Sequence, residues 1–184
     1  MGKIFDKLLP EHEAFISRQP IFFVATAPLT AQGHVNLSPK GYDVFRIFSP
    51  TQVGYLDLTG SGNETAAHIL ENGRITFMFM AIEGPPQILR LYGRGYSVRP
   101  TDLKWEELST SFPTHYPGIR QIIMATIHQV STSCGYGVPY LSYQGDRDTL
   151  SRWAQAKGPD GIIHYQQTKN RHSLDGIPTN ICQE

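Results

Sequence analysis

The segment TGSGNET, residues 59–65, places two glycines around a serine between a predicted strand and a predicted helix. Its S-x-x-E pattern would let Ser61 cap the helix while Glu64 bonds back to the cap N–H. The same turn could instead direct backbone N–H groups and the positive end of the helix dipole toward a phosphate. No third glycine completes G-x-G-x-x-G, and no Gly-Lys-Ser/Thr follows, so neither the dinucleotide nor the P-loop pattern applies. The segment alone leaves capping and phosphate binding both open.

Three basic residues could hold an anion. Lys40 follows the predicted strand HVNLSPKG, where a solvent-facing lysine is the ordinary interpretation. Arg90 and Arg94 lie four residues apart in QILRLYGRGYSV and therefore on one face of a strand. Arginines along a strand are often only a solvated face, but arginines that face a cleft can bind phosphate bidentately.

The segment STSCGYGVP contains a cysteine between polar residues and two glycines. A strand that ends in a turn with a buried, inert Cys134 is one interpretation. No recognisable motif ties a histidine to Cys134, so it is not predicted to be a nucleophile. The seven histidines show neither HExxH nor Cys/His ligand spacing, which predicts no metal site. No acid–base pair stands out, and no catalytic residue is assigned.

The composition is that of one globular domain of 184 residues. Sixteen basic residues balance sixteen acidic ones, which argues against a nucleic-acid partner. No apolar run approaches the ~18 residues of a membrane helix, and the first residues lack the features of a signal peptide. Cys134 and Cys182 cannot form a disulfide framework. We therefore expect a soluble, cytoplasmic protein that binds neither nucleic acid nor membrane.

The predicted elements are mostly strands. Apolar and alternating runs predict six or seven of them, at residues 20–29, 34–41, 41–50, 51–58, 74–82, 87–98 and 120–133. Pro39 is expected to end regular pairing in the second run. Helices are expected over residues 3–18, after the turn, from Thr101, and from an N-cap at Asp146 to a terminal Gly158. This pattern predicts a mainly antiparallel sheet closed as a small barrel, within one domain: helix 3–18, barrel 20–143, and C-terminal helix and tail 146–184.

The order of IFFVATAP, HVNLSPKG, YLDLTGSG, AAHILENGRITFMF and ILRLYGRG resembles the pyridoxamine 5′-phosphate oxidase-like proteins, the flavin-binding split barrels. The resemblance covers residues 22–98. Farther on, VSTSCGYGVPY and KNRHSLDGIPT resemble the later strand and tail of a subgroup of short members. The resemblance implies a homodimer of six-stranded antiparallel split barrels, mainly β with short helices, that binds FMN in a cleft between the subunits.

The resemblance also implies which residues bind the cofactor. The strand that contacts the flavin ring corresponds to NLSPKG, with Asn36, Ser38 and Lys40. The phosphate would lie near Thr59, Ser61, Gly62 and Thr65, with Lys40 or Arg90 as the cation and Arg94 on the same strand face as Arg90. Residues Ser133, Cys134 and Tyr136 would reach the flavin from the partner subunit.

One departure from the family pattern concerns the phosphate. The oxidases proper carry an Arg-Lys pair where this chain has Glu64 and Thr65. A carboxylate close to a dianionic phosphate is unfavourable. Either Glu64 points away as the capping partner while Thr65, Ser61 and main-chain donors hold the phosphate, or FMN binds weakly or not at all. The tail SLDGIPTNICQE also lacks the Arg-Trp and terminal proline of the true oxidases, so pyridoxamine 5′-phosphate oxidation itself is not expected.

The predicted function is that of an FMN-dependent oxidoreductase whose substrate and electron donor are unknown. The flavin would perform hydride or electron transfer, and Lys40 could stabilise negative charge on the reduced ring. The alternatives are a non-catalytic protein that stores or senses a flavin, and a cofactor-free dimeric relative. A deazaflavin or haem is a third option, with haem least favoured because no histidine lies in a family-matched ligand position.

Overall fold

The computed structural model describes residues 2–181, which form eight strands and four helices. In chain order they are β1 (Lys3–Phe5), α1 (Pro10–Ile16), β2 (Phe22–Thr26), β3 (Asn36–Lys40), β4 (Phe45–Ser49), β5 (Gln52–Leu58), α2 (Glu64–Asn72), β6 (Arg74–Met80), β7 (Ile88–Val98), α3 (Trp105–Ser109), β8 (Ile119–Ser133) and α4 (Thr149–Lys169).

The strands form one antiparallel sheet in the order β3-β2-β6-β7-β8-β5-β4, with β1 also paired to β8. The sheet curls until β3 approaches β5. Their proximity is shown by Lys40 Nζ, which lies 3.4 Å from Asp57 Oδ1 although the two strands do not pair through their backbones. The predicted mainly β split barrel is therefore confirmed, with eight strands in the sheet rather than six.

Period-two alternation places the core inside the curled sheet. In β6 and β7 the buried residues Phe77, Leu89 and Leu91 alternate with partly exposed ones. Phe22, at the start of β2, packs edge-on against the rings of Phe45 and Tyr55 at centroid distances of 5.1 and 5.6 Å. This aromatic contact joins the two ends of the sheet and closes the barrel opposite the β7–β8 pair.

The N-terminal segment differs from the helix predicted over residues 3–18. Residues Lys3–Phe5 pair with residues 130–132 of β8, and the helix covers only Pro10–Ile16. Proline at the first helical position suits a helix start, because its missing N–H would have no intrahelical partner there. Pro39 does not end pairing either, since it lies in register with Phe23 in the edge strand β3, where a proline is tolerated.

The later helices begin after their predicted starts. Helix α3 starts at Trp105 and not near Thr101, and the N-cap of α4 is Asp148 and not Asp146. The first half of α4 ends at Gly158, as predicted, where φ is 68° and ψ is 170°, and a second helical half follows from Pro159 after this kink. No helix within residues 2–181 is long and apolar enough to cross a membrane. Cys182 and the end of the predicted tail lie outside the described residues.

Candidate functional site

The turn before α2 does not form the predicted capping box. The helix starts at Glu64 with Asn63 as its N-cap, and Ser61 is exposed. Asn63 is 2 % exposed, and its side chain donates to Asn170 O at 3.2 Å and accepts from Gln121 Nε2 at 3.0 Å. Tertiary partners therefore occupy the cap side chain, and the serine that matched the capping pattern lies outside the helix.

The carbonyl groups of the turn are held by distant residues. Asn170 Nδ2 donates to Gly60 O at 3.0 Å and to Ser61 O at 3.5 Å, and Arg120 Nη1 donates to Gly62 O at 2.9 Å. Peptide N–H and C=O groups point in opposite directions in a trans peptide bond. The N–H groups of residues 61–63 consequently face away from Asn170 and Arg120.

Thr59 and Glu64 change the predicted phosphate contacts. The Thr59 N–H and Oγ1 both donate to Gly118 O at 2.8 Å, and Gln166 Nε2 donates to Thr59 Oγ1 at 2.8 Å, so this 1 % exposed side chain is held by the protein. The Glu64 carboxylate lies so close to Gly62 that a Cβ at Gly62 would collide with it. Glu64 therefore does not point away from the turn, contrary to the first of the two arrangements considered for it.

The polar face of β3 contacts α2 through Asn36. Asn36 Nδ2 donates to Thr65 Oγ1 at 3.1 Å and to Thr26 Oγ1 at 3.0 Å. Ser38 Oγ donates to Asn36 Oδ1 at 2.8 Å, and Thr26 Oγ1 lies 3.0 Å from Nδ1 of the buried His68. Three of the predicted residues, Asn36, Ser38 and Thr65, thus form one hydrogen-bonded cluster.

A buried ionic network adjoins this cluster. Asp57, 3 % exposed, lies 2.8 Å from Arg120 Nη2, accepts from Gln121 Nε2 at 2.8 Å and contacts Lys40 Nζ at 3.4 Å. Burial raises the pKa of the Asp57 carboxyl, but the positive charges of Arg120 and Lys40 outweigh burial and bring that pKa below its ordinary value. The Lys40 side chain is 25 % exposed, and Asp57 orients its ammonium group.

Sequence reasoning missed Asp57, Arg120, Gln121, Thr26 and His68. A signal for two of them was available, because Asp57 and Arg120 are charged residues inside or beside the apolar runs YLDL and RQII. A charged side chain at a strand position expected to be buried needs a partner, and here each residue is the partner of the other.

The remaining predicted residues lie elsewhere on the chain. Arg90 Nη1 donates to Ser133 Oγ at 3.2 Å on the outer face of the sheet. Arg94 Nη1 donates to Asn72 O at 3.0 Å, at the end of α2 opposite the turn. Cys134 is exposed, so its interpretation as a buried, inert cysteine is wrong. Tyr136 is 81 % exposed. No hydrogen bond found within the described chain joins these five predicted residues to the cluster on β3.

A cavity of about 710 Å³ lies behind the turn, between Gly118, Arg120 and the two halves of α4. Within residues 2–181, no group of three or more His, Cys, Asp or Glu side chains is arranged to hold a metal ion.

Comparison with known proteins gives concordant results. Residues 8–134 match the family model described as pyridoxamine 5′-phosphate oxidase. The chain is 37 % identical over 177 residues to the pyridoxamine 5′-phosphate oxidase family protein ustO of Aspergillus flavus, a match covering 88 % of this chain and 71 % of that protein.

Solved structures share the fold at lower identity. HupZ from Group A Streptococcus superposes with a TM-score of 0.55 and 20 % identity, over 67 % of this chain and 91 % of that one. A Clostridium acetobutylicum protein related to general stress protein 26 of B. subtilis gives a TM-score of 0.52 and 12 % identity, over 67 % and 86 % of the two chains.

Proposed function

The chain belongs to the pyridoxamine 5′-phosphate oxidase family, and we propose that it is an FMN-binding homodimer that acts as a flavin-dependent oxidoreductase. One observation carries the proposal. The polar face of β3 and the turn before α2 are joined by the 3.1 Å hydrogen bond from Asn36 to Thr65. A segment suited to contact a flavin ring therefore adjoins a segment suited to receive a phosphate.

The available hydrogen-bond donors suit the ring end of a flavin better than its phosphate end. Lys40 offers a charged donor at the ring end, and the outward N–H groups of residues 61–63 offer neutral donors at the phosphate end. The Glu64 carboxylate against Gly62 opposes a phosphate at that end. The residues fit the ring and permit the phosphate, and Glu64 lowers the affinity for it.

The protein groups of this site act through charge and orientation. A bound flavin supplies hydride or electron transfer. Lys40 would stabilise negative charge at the ring edge, because its ammonium group is already positioned before that charge develops. Asp57 orients Lys40, and Arg120 contributes a second positive charge, so the three groups together carry a net charge of +1.

A second copy of the chain would bring the separate residues to the site. No hydrogen bond found within residues 2–181 joins Arg90, Ser133, Cys134 or Tyr136 to Asn36 or Thr65, and the proposal is that they reach the flavin from a partner subunit. Exposed apolar side chains favour such an association, with Leu37 on the outer face of β3 at 63 % exposure and Tyr96 on β7 at 36 %.

The second candidate function is that of a dimeric relative that has lost the phosphorylated cofactor. The position of Glu64 favours it, since a carboxylate lies where the oxidases proper carry a basic pair. Purified protein with the visible absorption of a flavin supports the first proposal. Colourless protein that binds neither FMN nor riboflavin would support the second.

A titration with two flavins tests the phosphate contacts. Charge-assisted hydrogen bonds contribute roughly 1.5–3 kcal/mol each, so two of them favour FMN over riboflavin by on the order of a hundredfold or more before the opposing effect of Glu64. Ser61→Ala and Thr65→Ala should narrow this gap and leave riboflavin binding almost unchanged. Equal affinities of the parent protein for both flavins would contradict a phosphate contact at the turn.

A further inference from the structure

A continuous chain of polar side chains runs from the interior of the barrel to the candidate ring site. It begins at His68 in α2, which is fully buried, and passes to Thr26, which is 4 % exposed. From Thr26 it continues to Asn36 and ends at the half-buried Ser38. Three secondary-structure elements, α2, β2 and β3, each contribute to it.

One assignment of protons satisfies every hydrogen bond of this polar chain. Burial lowers the pKa of His68, which favours the neutral ring, and its Nε2 has no hydrogen-bond partner within residues 2–181. Thr26 Oγ1 accepts a hydrogen bond from Asn36 Nδ2 at 3.0 Å, and its own hydroxyl can donate to Nδ1 of His68, also at 3.0 Å. In the tautomer protonated at Nε2, His68 is the acceptor that ends the polar chain.

In this tautomer, His68 fixes the orientation of the Asn36 amide. With an acceptor at Nδ1, the single Thr26 proton is committed to His68. If the Asn36 amide were reversed, its oxygen would face Thr26 Oγ1. The Thr26 hydroxyl could not donate to this oxygen, because it already donates to His68. The observed orientation instead satisfies both amide protons, at Thr26 and Thr65, and leaves the Asn36 oxygen to accept from Ser38 at 2.8 Å.

In this arrangement the Ser38 hydroxyl acts toward a ligand as a hydrogen-bond acceptor. Its proton is committed to Asn36, so only its oxygen lone pairs remain, and the hydroxyl accepts but does not donate. Lys40 lies about 7 Å farther along the same face of β3 and only donates. The strand therefore matches a planar edge on which an N–H group neighbours a carbonyl group, as in an imide.

We propose that Ser38 is the residue that accepts the imide N–H of the flavin ring, and that His68 is a positioning residue that sets this preference through Thr26 and Asn36. The inference rests on the proposed function and deepens it. It concerns the ring and not the phosphate, so it holds for riboflavin as well as for FMN.

The test compares riboflavin with 3-methylriboflavin, in which a methyl group replaces the imide hydrogen. Binding is followed by quenching of flavin fluorescence on the full chain. Loss of one neutral hydrogen bond, with the Ser38 oxygen left without a donor, should weaken the binding of 3-methylriboflavin by about tenfold or more. Ser38→Ala should bring the two affinities close together, mainly by weakening riboflavin.

Variants of His68 separate positioning from simple support of the fold. His68→Leu removes the acceptor, so the Asn36 amide can reverse and Ser38 can donate, and the preference for riboflavin should fall severalfold. His68→Asn keeps an acceptor near the Nδ1 position and should retain it. Ser49→Ala, a strand serine on β4 outside the polar chain, is the matched control and should leave the ratio unchanged.

The outcomes are distinguishable. Equal binding of riboflavin and 3-methylriboflavin by the unmodified protein overturns the role of Ser38 while leaving flavin binding in place. An unchanged ratio in a folded His68→Leu variant overturns the role of His68. Binding of neither flavin overturns the inference together with the proposed function. The comparison on the unmodified protein requires no variant, so it decides the role of Ser38 even if His68→Leu does not fold.

Discussion

Replacing Asp57 by asparagine tests the buried ionic network directly. The carboxylate is 3 % exposed and pairs with Arg120, whose side chain is 4 % exposed, and with Lys40. Asparagine keeps the shape but removes the negative charge, which leaves the Arg120 guanidinium buried without a counter-ion. Breaking a buried pair from one side typically costs about 3–5 kcal/mol, and we expect Asp57→Asn to lower the free energy of unfolding by about that amount.

Urea unfolding followed by tryptophan fluorescence measures this loss. The midpoint should fall while the slope with urea stays the same. Asp43→Asn is the matched control, because Asp43 also pairs with an arginine, Arg46 at 2.6 Å, but its side chain is 70 % exposed. An exposed pair contributes about 0–1 kcal/mol. If the two substitutions cost the same, the buried network does not stabilise the fold as argued.

The pH dependence follows from the lowered pKa of Asp57. Burial raises that pKa, but Arg120 and Lys40 outweigh burial, so the folded carboxyl ionises at lower pH than the unfolded one. The unfolded chain then binds more protons in this window, and the contribution is full above the unfolded pKa of about 3.9 and disappears as the pH falls through the folded pKa. The stability gap between parent and Asp57→Asn should therefore be constant from pH 7 to about pH 5 and shrink below about pH 4.

Three further predictions concern the turn and the assembly. Glu64→Gln should tighten FMN by about tenfold and leave riboflavin unchanged in calorimetric titration, because it removes one like charge near the phosphate; an unchanged ratio would place the phosphate elsewhere. Ser61→Ala should change unfolding in urea by less than about 0.5 kcal/mol, whereas Asn63→Ala should cost more than about 1 kcal/mol, and the reverse order would restore Ser61 as the cap. Light scattering at micromolar concentration should give a dimer, and a monomer would remove the partner residues from the site.

Much of the architecture is determined by local sequence pattern. Alternating and apolar runs predict all seven strands from β2 to β8, because side-chain period and burial are linked in a pleated strand. The split barrel follows from the order of these runs and from the family resemblance. The junction at residues 59–65 is also recognisable, since glycines and a polar cap residue mark the boundary between a strand and a helix.

Only the tertiary structure decides what that junction does. The local pattern favours Ser61 as the cap, but Asn63 takes the position because Gln121 and Asn170 hold its side chain. Asn170 and Gln121, the partners of Asn63, and Arg120 and Gln121, which bond Asp57, lie 58 to 107 residues away along the chain. No window of sequence contains such pairs. They become predictable only when the sheet curls and α4 returns the end of the chain to the turn, since a buried polar group must then bond whatever donor or acceptor the fold places beside it.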